Sequence, residues 1–169
     1  MENDLNEYQK VYTEMIRQLD IGAQLIAEYD SIPHDYGAAV LYQAESQIIH
    51  LIGKHPGITA TELASITSKT PSACSQLIRK LKSKKWVKQL RNEGNNRQYQ
   101  LFLTESGEEI YEDHSRFEQC CYQRYFDFLS SFSMEECRSY IKIQKILNHA
   151  FSLDVEESKR SLGDPHEEK

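Results

Sequence analysis

Residues 59–104 read TATELASITSKTPSACSQLIRKLKSKKWVKQLRNEGNNRQYQLFLT. Thr59 followed by Glu62 is a capping box that opens a short helix, and Leu63, Ala64 and Ile66 supply its apolar face. Ser68-Lys69-Thr70-Pro71 turns the chain into a second helix. Thr70 is its N-cap, and Pro71 sits where a missing N–H costs nothing. Ala73, Leu77 and Leu81 form an i, i+4, i+8 stripe that Cys74 and Ile78 widen, while the opposite face shows Ser72, Ser75, Gln76, Arg79, Lys80 and Lys82. Trp86–Arg91 and Gln98–Leu103 are rich in β-branched and aromatic residues. The turn signal Asn92-Glu93-Gly94-Asn95-Asn96 joins them. Two short helices followed by a hairpin with Arg91 and Arg97 at its tip make a helix-turn-helix with a wing.

Charge follows the same boundaries. Lys54 to Arg97 holds ten Lys/Arg against only Glu62 and Glu93, a local net of +8 in a chain whose total is −6, so the remainder carries −14. A basic block inside an acidic chain turns one face toward a polyanion. No apolar run approaches the ~18 residues of a membrane span. The acidic start MENDLNEYQK does not resemble a secretion signal, so the expected location is cytoplasmic, with no membrane partner. Cys74, Cys120, Cys121 and Cys137 include no CxxC pair and are expected to be reduced structural thiols.

The flanks read as long helices. Leu5, Tyr8, Tyr12, Met15, Leu19, Gly22, Ile26 and Tyr29 step by three and four, a seam that must pack on another long helix. Pro33 and Gly37 break the pattern between Ser31 and Ala44, where a loop or broken helix is expected. Glu45 to Lys54 is a short helix with Ile48, Ile49, Leu51 and Ile52, ended by His55-Pro56-Gly57. Thr104 caps a helix to about Ser131 with the stripe Ile110, His114, Phe117, Cys121, Tyr125, Phe128 and Phe132. Ser133 and Glu136 make another capping box, and Cys137, Tyr140, Ile141, Leu147, Ala150 and Phe151 are the expected core of the last helix. The fold class is therefore mainly α with a small β-hairpin wing. Helical regions over 1–44 and 104–155 flank a winged helix-turn-helix over 45–103, and a charged tail over 156–169 is expected to fray.

In this order the string resembles the MarR family of bacterial transcription regulators. The resemblance rests on the TxxELA of Thr59–Ala64, the TPSACSQLIRKL of Thr70–Leu81, Trp86-Val87, Arg97, and the LTESG of Leu103–Gly107. It implies a homodimer made by the terminal helices, two recognition helices reading a pseudo-palindromic operator as a repressor does, and a small-molecule effector between the dimerisation helices and the reading head. Three positions depart from the family's habit: Asn95 replaces the aspartate that orients the wing arginine, Asn96 often is arginine, and Lys85 replaces the glycine that ends the recognition helix. A left-handed Lys85 would carry strain on the order of 1 kcal/mol.

The candidate DNA contacts divide by chemistry. Ser72, Ser75, Gln76 and Arg79 are placed to read the major groove, where Gln favours adenine and Arg guanine. Lys80, Lys84, Lys88 and Arg91 are candidates for phosphate, and Arg97 for the minor groove. There Asn95 keeps a hydrogen-bonding side chain beside it but loses the ion pair, so that Arg97 is expected to be less fixed. The candidate effector pocket is His34, Tyr36, Tyr42, His50, His114 and Phe117. His50, His114 and Glu118 raise the question of a metal, and the expectation is an interface histidine that finds its hydrogen bonds, with no metal or other cofactor. Thiol sensing requires an exposed, acidified cysteine, and Cys120 is the most exposed candidate. The rival readings are a metal- or thiol-responsive regulator of the same fold and a winged helix that binds protein instead of DNA. No catalytic triad, phosphate-binding loop or metal triad marks an enzyme.

Overall fold

The computed structural model describes the backbone of residues 2–92 and 95–161, and the side chains of 6–91 and 98–161. The element order is α1 (Glu2–Ser31), β1 (Pro33–Asp35), β2 (Val40–Tyr42), α2 (Gln43–Lys54), α3 (Ala60–Thr67), α4 (Pro71–Ser83), β3 (Val87–Asn92), β4 (Asn95–Leu103), α5 (Glu105–Leu129) and α6 (Met134–Ser161). Residues 1–120 form one compact unit and 121–169 another.

The core belongs to the first unit. Ile48, Ile49 and Ile52 of α2, Leu63 of α3, Cys74, Ile78 and Leu81 of α4, Val87, Leu101 and Leu103 of the hairpin and Ile110 of α5 are all buried. The recognition-helix stripe keeps Leu81 of the expected line and is centred on the flanking Cys74 and Ile78. Cys74, Ile78 and Leu81 face inward, whereas Ala73 and Leu77 are half-buried at its edge. In the hairpin, Val87 pairs with Leu103, Gln89 with Leu101 and Arg91 with Tyr99, and a bulge follows at Arg91/Asn92. Leu101 also exchanges backbone bonds with Gly57 and Ile58, its carbonyl accepting from Gly57 at 2.8 Å and its N–H donating to Ile58 at 3.0 Å. Residues 57–59 thereby dock on the free edge of β4.

The caps form where the sequence places them. Glu62 accepts from Thr59 N–H at 2.8 Å and Thr59 Oγ1 accepts from Glu62 N–H at 3.3 Å, while Thr70 Oγ1 accepts from Ala73 N–H at 3.2 Å. Ser133 and Glu136 repeat the box at the head of α6. At the other ends, both α3 and α4 finish in a Schellman turn around a non-glycine residue. Ser68 has φ 52° with Lys69 N–H bonded to the Ala64 carbonyl, and Lys85 has φ 62° with Trp86 N–H bonded to the Leu81 carbonyl. Lys85 is thus left-handed, and its carbonyl accepts from Thr104 Oγ1 at 2.6 Å. Gly107 lies against the same turn, where an added Cβ would stand 2.1 Å from the Trp86 carbonyl oxygen.

Between Ser31 and Ala44 the chain forms neither an open loop nor a broken helix but a short antiparallel pair, β1 with β2. Gly37 at φ 89° turns it, Asp35 accepts from the Gly37 N–H, and Asp113 of α5 accepts from Ala38 N–H at 2.9 Å. Two terminal helices extend further than their patterns suggest, α1 to Ser31 and α6 to Ser161, past the expected start of the tail at 156; residues 162–169 lie outside the described residues. Much of the stripe on each of these helices is exposed, with Met15, Leu19, Gly22, Cys137 and Leu147 half-buried. Tyr8, Tyr12 and Ile26 of α1 are exposed, Leu5 lies outside the described side chains, and no residue of α6 is buried. Tyr140, Ile141 and Phe151, expected in a core, face solvent in the single chain.

Candidate nucleic-acid interface

With Cys74, Ile78 and Leu81 buried, helical geometry turns Ser72, Ser75, Gln76 and Arg79 outward, and all four are exposed. Among the described residues Arg79 has no ion-pair partner, so its guanidinium is available to a base edge or phosphate. A shallow groove of ≈ 500 Å³ runs along the helix, lined by Lys69, Thr70, Ala73, Gln76, Leu77 and Lys80. Lys88 and Arg91 are exposed on the wing, with Arg91 6.0 Å over the Tyr99 ring. The side chains of Asn95 and Arg97 lie outside the described residues, although both positions belong to β4.

Two expected phosphate contacts have another partner. Lys80 Nζ and Lys84 Nζ each stand 3.1 Å from the same oxygen of Glu45, a residue of α2 whose side chain is 2% exposed. Burial pushes the Glu45 carboxyl up. Hydrogen bonds from Lys80, the Tyr42 N–H and Lys84 outweigh it and leave the group below the usual carboxylate range. Lys84 also lies 4.4 Å over the Trp86 ring. Lys82 is tied to Gln89 of β3. The C-terminal half of the recognition helix is therefore clasped to α2 and to the wing, whereas its N-terminal half is open. Sequence reading passed over Glu45. The available signal was its place as third residue of a helix whose neighbours Ile48, Ile49 and Ile52 are all core.

The expected pocket residues mostly assemble, but on one another. His34 stacks on Tyr29 at 4.0 Å and donates to the Tyr29 carbonyl at 2.9 Å. Tyr36 meets the edges of His114 and Phe117 at 4.9 Å and 5.2 Å, and His50 lies 5.6 Å from His114. Tyr42 is not part of this group. Its ring sits 5.7 Å from Lys80 Nζ on the side of the recognition helix. The expectation that the histidines satisfy their hydrogen bonds fails. Nδ1 of His50 and Nδ1 of His114 are both buried without a hydrogen-bond partner, and Glu118 Oε2 stands 3.6 Å and 3.8 Å from them, beyond hydrogen-bond reach. Burial holds the His114 imidazole below the usual histidine range, Glu118 opposes this in part, and His50 adds to it. Cys74 is buried, which pushes its thiol up, and Cys120 is exposed.

The model described as the MarR family matches residues 42–98, the segment from β2 through the wing. That segment is similar to the winged helix-turn-helix of the MarR family. The flanking helices complete the MarR-type fold. Streptococcus pneumoniae FabT, solved in complex with DNA, is 23% identical with a TM-score of 0.62, covering 88% of this chain and 99% of its own. A MarR family transcription regulator is 19% identical with a TM-score of 0.69, covering 90% and 97%. Lactococcus lactis ZitR, a zinc-responsive MarR family member, is 18% identical with a TM-score of 0.69, covering 83% and 99%. No curated protein matches. At these identities the structures establish a shared fold, and no helix of the described residues is long and apolar enough to cross a membrane.

Proposed function

We propose that this chain is a sequence-specific DNA-binding transcription repressor that acts in the cytoplasm as a homodimer on a pseudo-palindromic operator. One observation carries the reading: the recognition helix α4 is anchored by its apolar face and by Glu45, and presents Ser72, Ser75, Gln76 and Arg79 to solvent from a rigid support. Free hydroxyl, amide and guanidinium groups on a fixed helix are what base readout requires. FabT, a structure of the same fold, is known with DNA. Homodimerisation is supported by the bare apolar residues of α1, α6 and the distal part of α5, over the expected dimerisation regions 1–44 and 104–155.

The test is selection of bound duplexes by the purified protein, followed by anisotropy titration of the selected site. Arg79→Ala should lower affinity for that site by roughly 1–3 kcal/mol and relax preference at one base pair. An equal loss on every sequence would reassign Arg79 to phosphate. No binding to any duplex at low salt would favour the rival reading, a winged helix that binds protein. Release by a small-molecule effector is a further part of the proposal, supported by the aromatic group around Tyr36 and tested by repeating the titration against a ligand panel.

A further inference from the structure

His50 of α2 and His114 and Glu118 of α5 offer one ligand atom each, and these atoms lie within 4.8 Å of one another. We propose that they form a binding site for a divalent transition-metal ion of the zinc class, with two imidazole Nδ1 atoms, one carboxylate oxygen and a fourth position left to water.

The spacing is the first argument. A histidine paired directly with a carboxylate closes to ~2.7–2.9 Å. Here both Nδ1 atoms stop at 3.6 Å and 3.8 Å from Glu118 Oε2. Ligand bonds of ~2.0–2.2 Å in tetrahedral geometry separate ligand atoms by about 3.3–3.6 Å. The two imidazole-to-carboxylate separations therefore lie within a few tenths of an ångström of those an ion would impose, and all three ligand atoms lie within 4.8 Å of one another.

The second argument is the unmet polarity. The His114 side chain is 3% exposed, and its Nδ1 has no hydrogen-bond partner, nor has the buried Nδ1 of His50. Two buried ring nitrogens without a hydrogen-bond partner, beside one carboxylate, cost free energy that an ion would recover. Tyr36 packs against the His114 ring and Tyr111 lies beside His50, which limits how either imidazole can turn away. Two neutral nitrogens with one carboxylate suit a borderline ion and disfavour magnesium or calcium, which take oxygen. The site would join α5 to α2, the helix whose Glu45 holds the recognition helix. Its existence rests on these ligands and not on the DNA-binding reading.

The experiment uses the full chain without an affinity tag, stripped with a chelator and titrated with Co²⁺ by absorption and with Zn²⁺ by competition against a chromophoric chelator. One equivalent per chain with a tetrahedral Co²⁺ spectrum, insensitive to excess Mg²⁺, is expected. His50→Gln and Glu118→Gln change part-exposed side chains, so their folding is checked by circular dichroism. Each should weaken binding by at least the ~10–100-fold that loss of an outer partner alone produces. A triple Cys120→Ser, Cys121→Ser, Cys137→Ser variant should bind as the unsubstituted chain does. Less than one equivalent, affinity unchanged in both glutamine variants, or binding lost with the cysteines would each overturn the proposal.

Discussion

The reading head and the terminal helices are built on opposite terms. From α2 to the start of α5, aliphatic residues from six elements close on one another, and Ile48, Ile49, Ile52 and Leu63 are fully buried. On α6, a 28-residue helix, nothing is buried, while Tyr140, Ile141, Ile146 and Phe151 stand in solvent. On the distal part of α5, Tyr122, Tyr125, Phe126 and Phe128 do the same. Exposed apolar surface of this extent marks an interaction site. The head completes its own core; the terminal helices leave much of their apolar surface uncovered in the single chain.

That contrast can be broken at either end. The largest effect is expected from Gly107→Ala, because the new methyl would meet backbone at 2.1 Å rather than a movable side chain. A loss of about 3–5 kcal/mol in urea unfolding is expected. A loss below about 1 kcal/mol would mean that the Trp86 turn yields. Next is the double change Phe128→Ala, Phe132→Ala, at residues 71% and 55% exposed in the single chain. It should raise the dimer dissociation constant at least about tenfold, or 1.4 kcal/mol, by sedimentation. An unchanged constant would place the interface elsewhere.

Glu45→Gln comes third. Both lysines are partly exposed, so the loss should be about 1–2 kcal/mol, below the range for a fully buried pair. Its pH signature has a definite sign. The folded carboxyl lies below its usual 4.5. Its stabilisation is thus complete above that value and fades as pH falls through the lower, folded pKa. Acid titration of stability in the Gln variant should lack that component, and identical curves would sink the idea. The smallest effect is a gain: Lys85→Gly at φ 62° should stabilise by about 1 kcal/mol in thermal unfolding, as relief of a left-handed side chain predicts.

The sequence made the head legible because its signals are local. Thr59 with Glu62, Thr70 with Pro71, and the turn after Arg91 each announce themselves within a few residues. Lys85 was legible as a conflict, and its left-handed backbone is the outcome. Contacts distant along the chain were not legible. Nothing near Lys80 or Lys84 points 35 or more residues back to Glu45. That Nδ1 of His50 and of His114 lack a hydrogen-bond partner depends on where α2 and α5 place them. The 31–44 segment was misread because Pro33 and Gly37 announce a break but not a strand pair, which Asp113 helps to hold from α5.

The Glu45 clasp has a thermodynamic consequence for how tightly the head would hold a polyanion. Each cation that newly neutralises a phosphate displaces a condensed counterion, contributing about 0.9 to the slope of log affinity against log salt. Lys80 and Lys84 already have an anion inside the protein. Two lysines of the +8 surface would then release nothing on binding, and the slope should fall short of a simple charge count by about 1.8. The clasp trades salt sensitivity for a recognition helix whose position does not depend on its ligand.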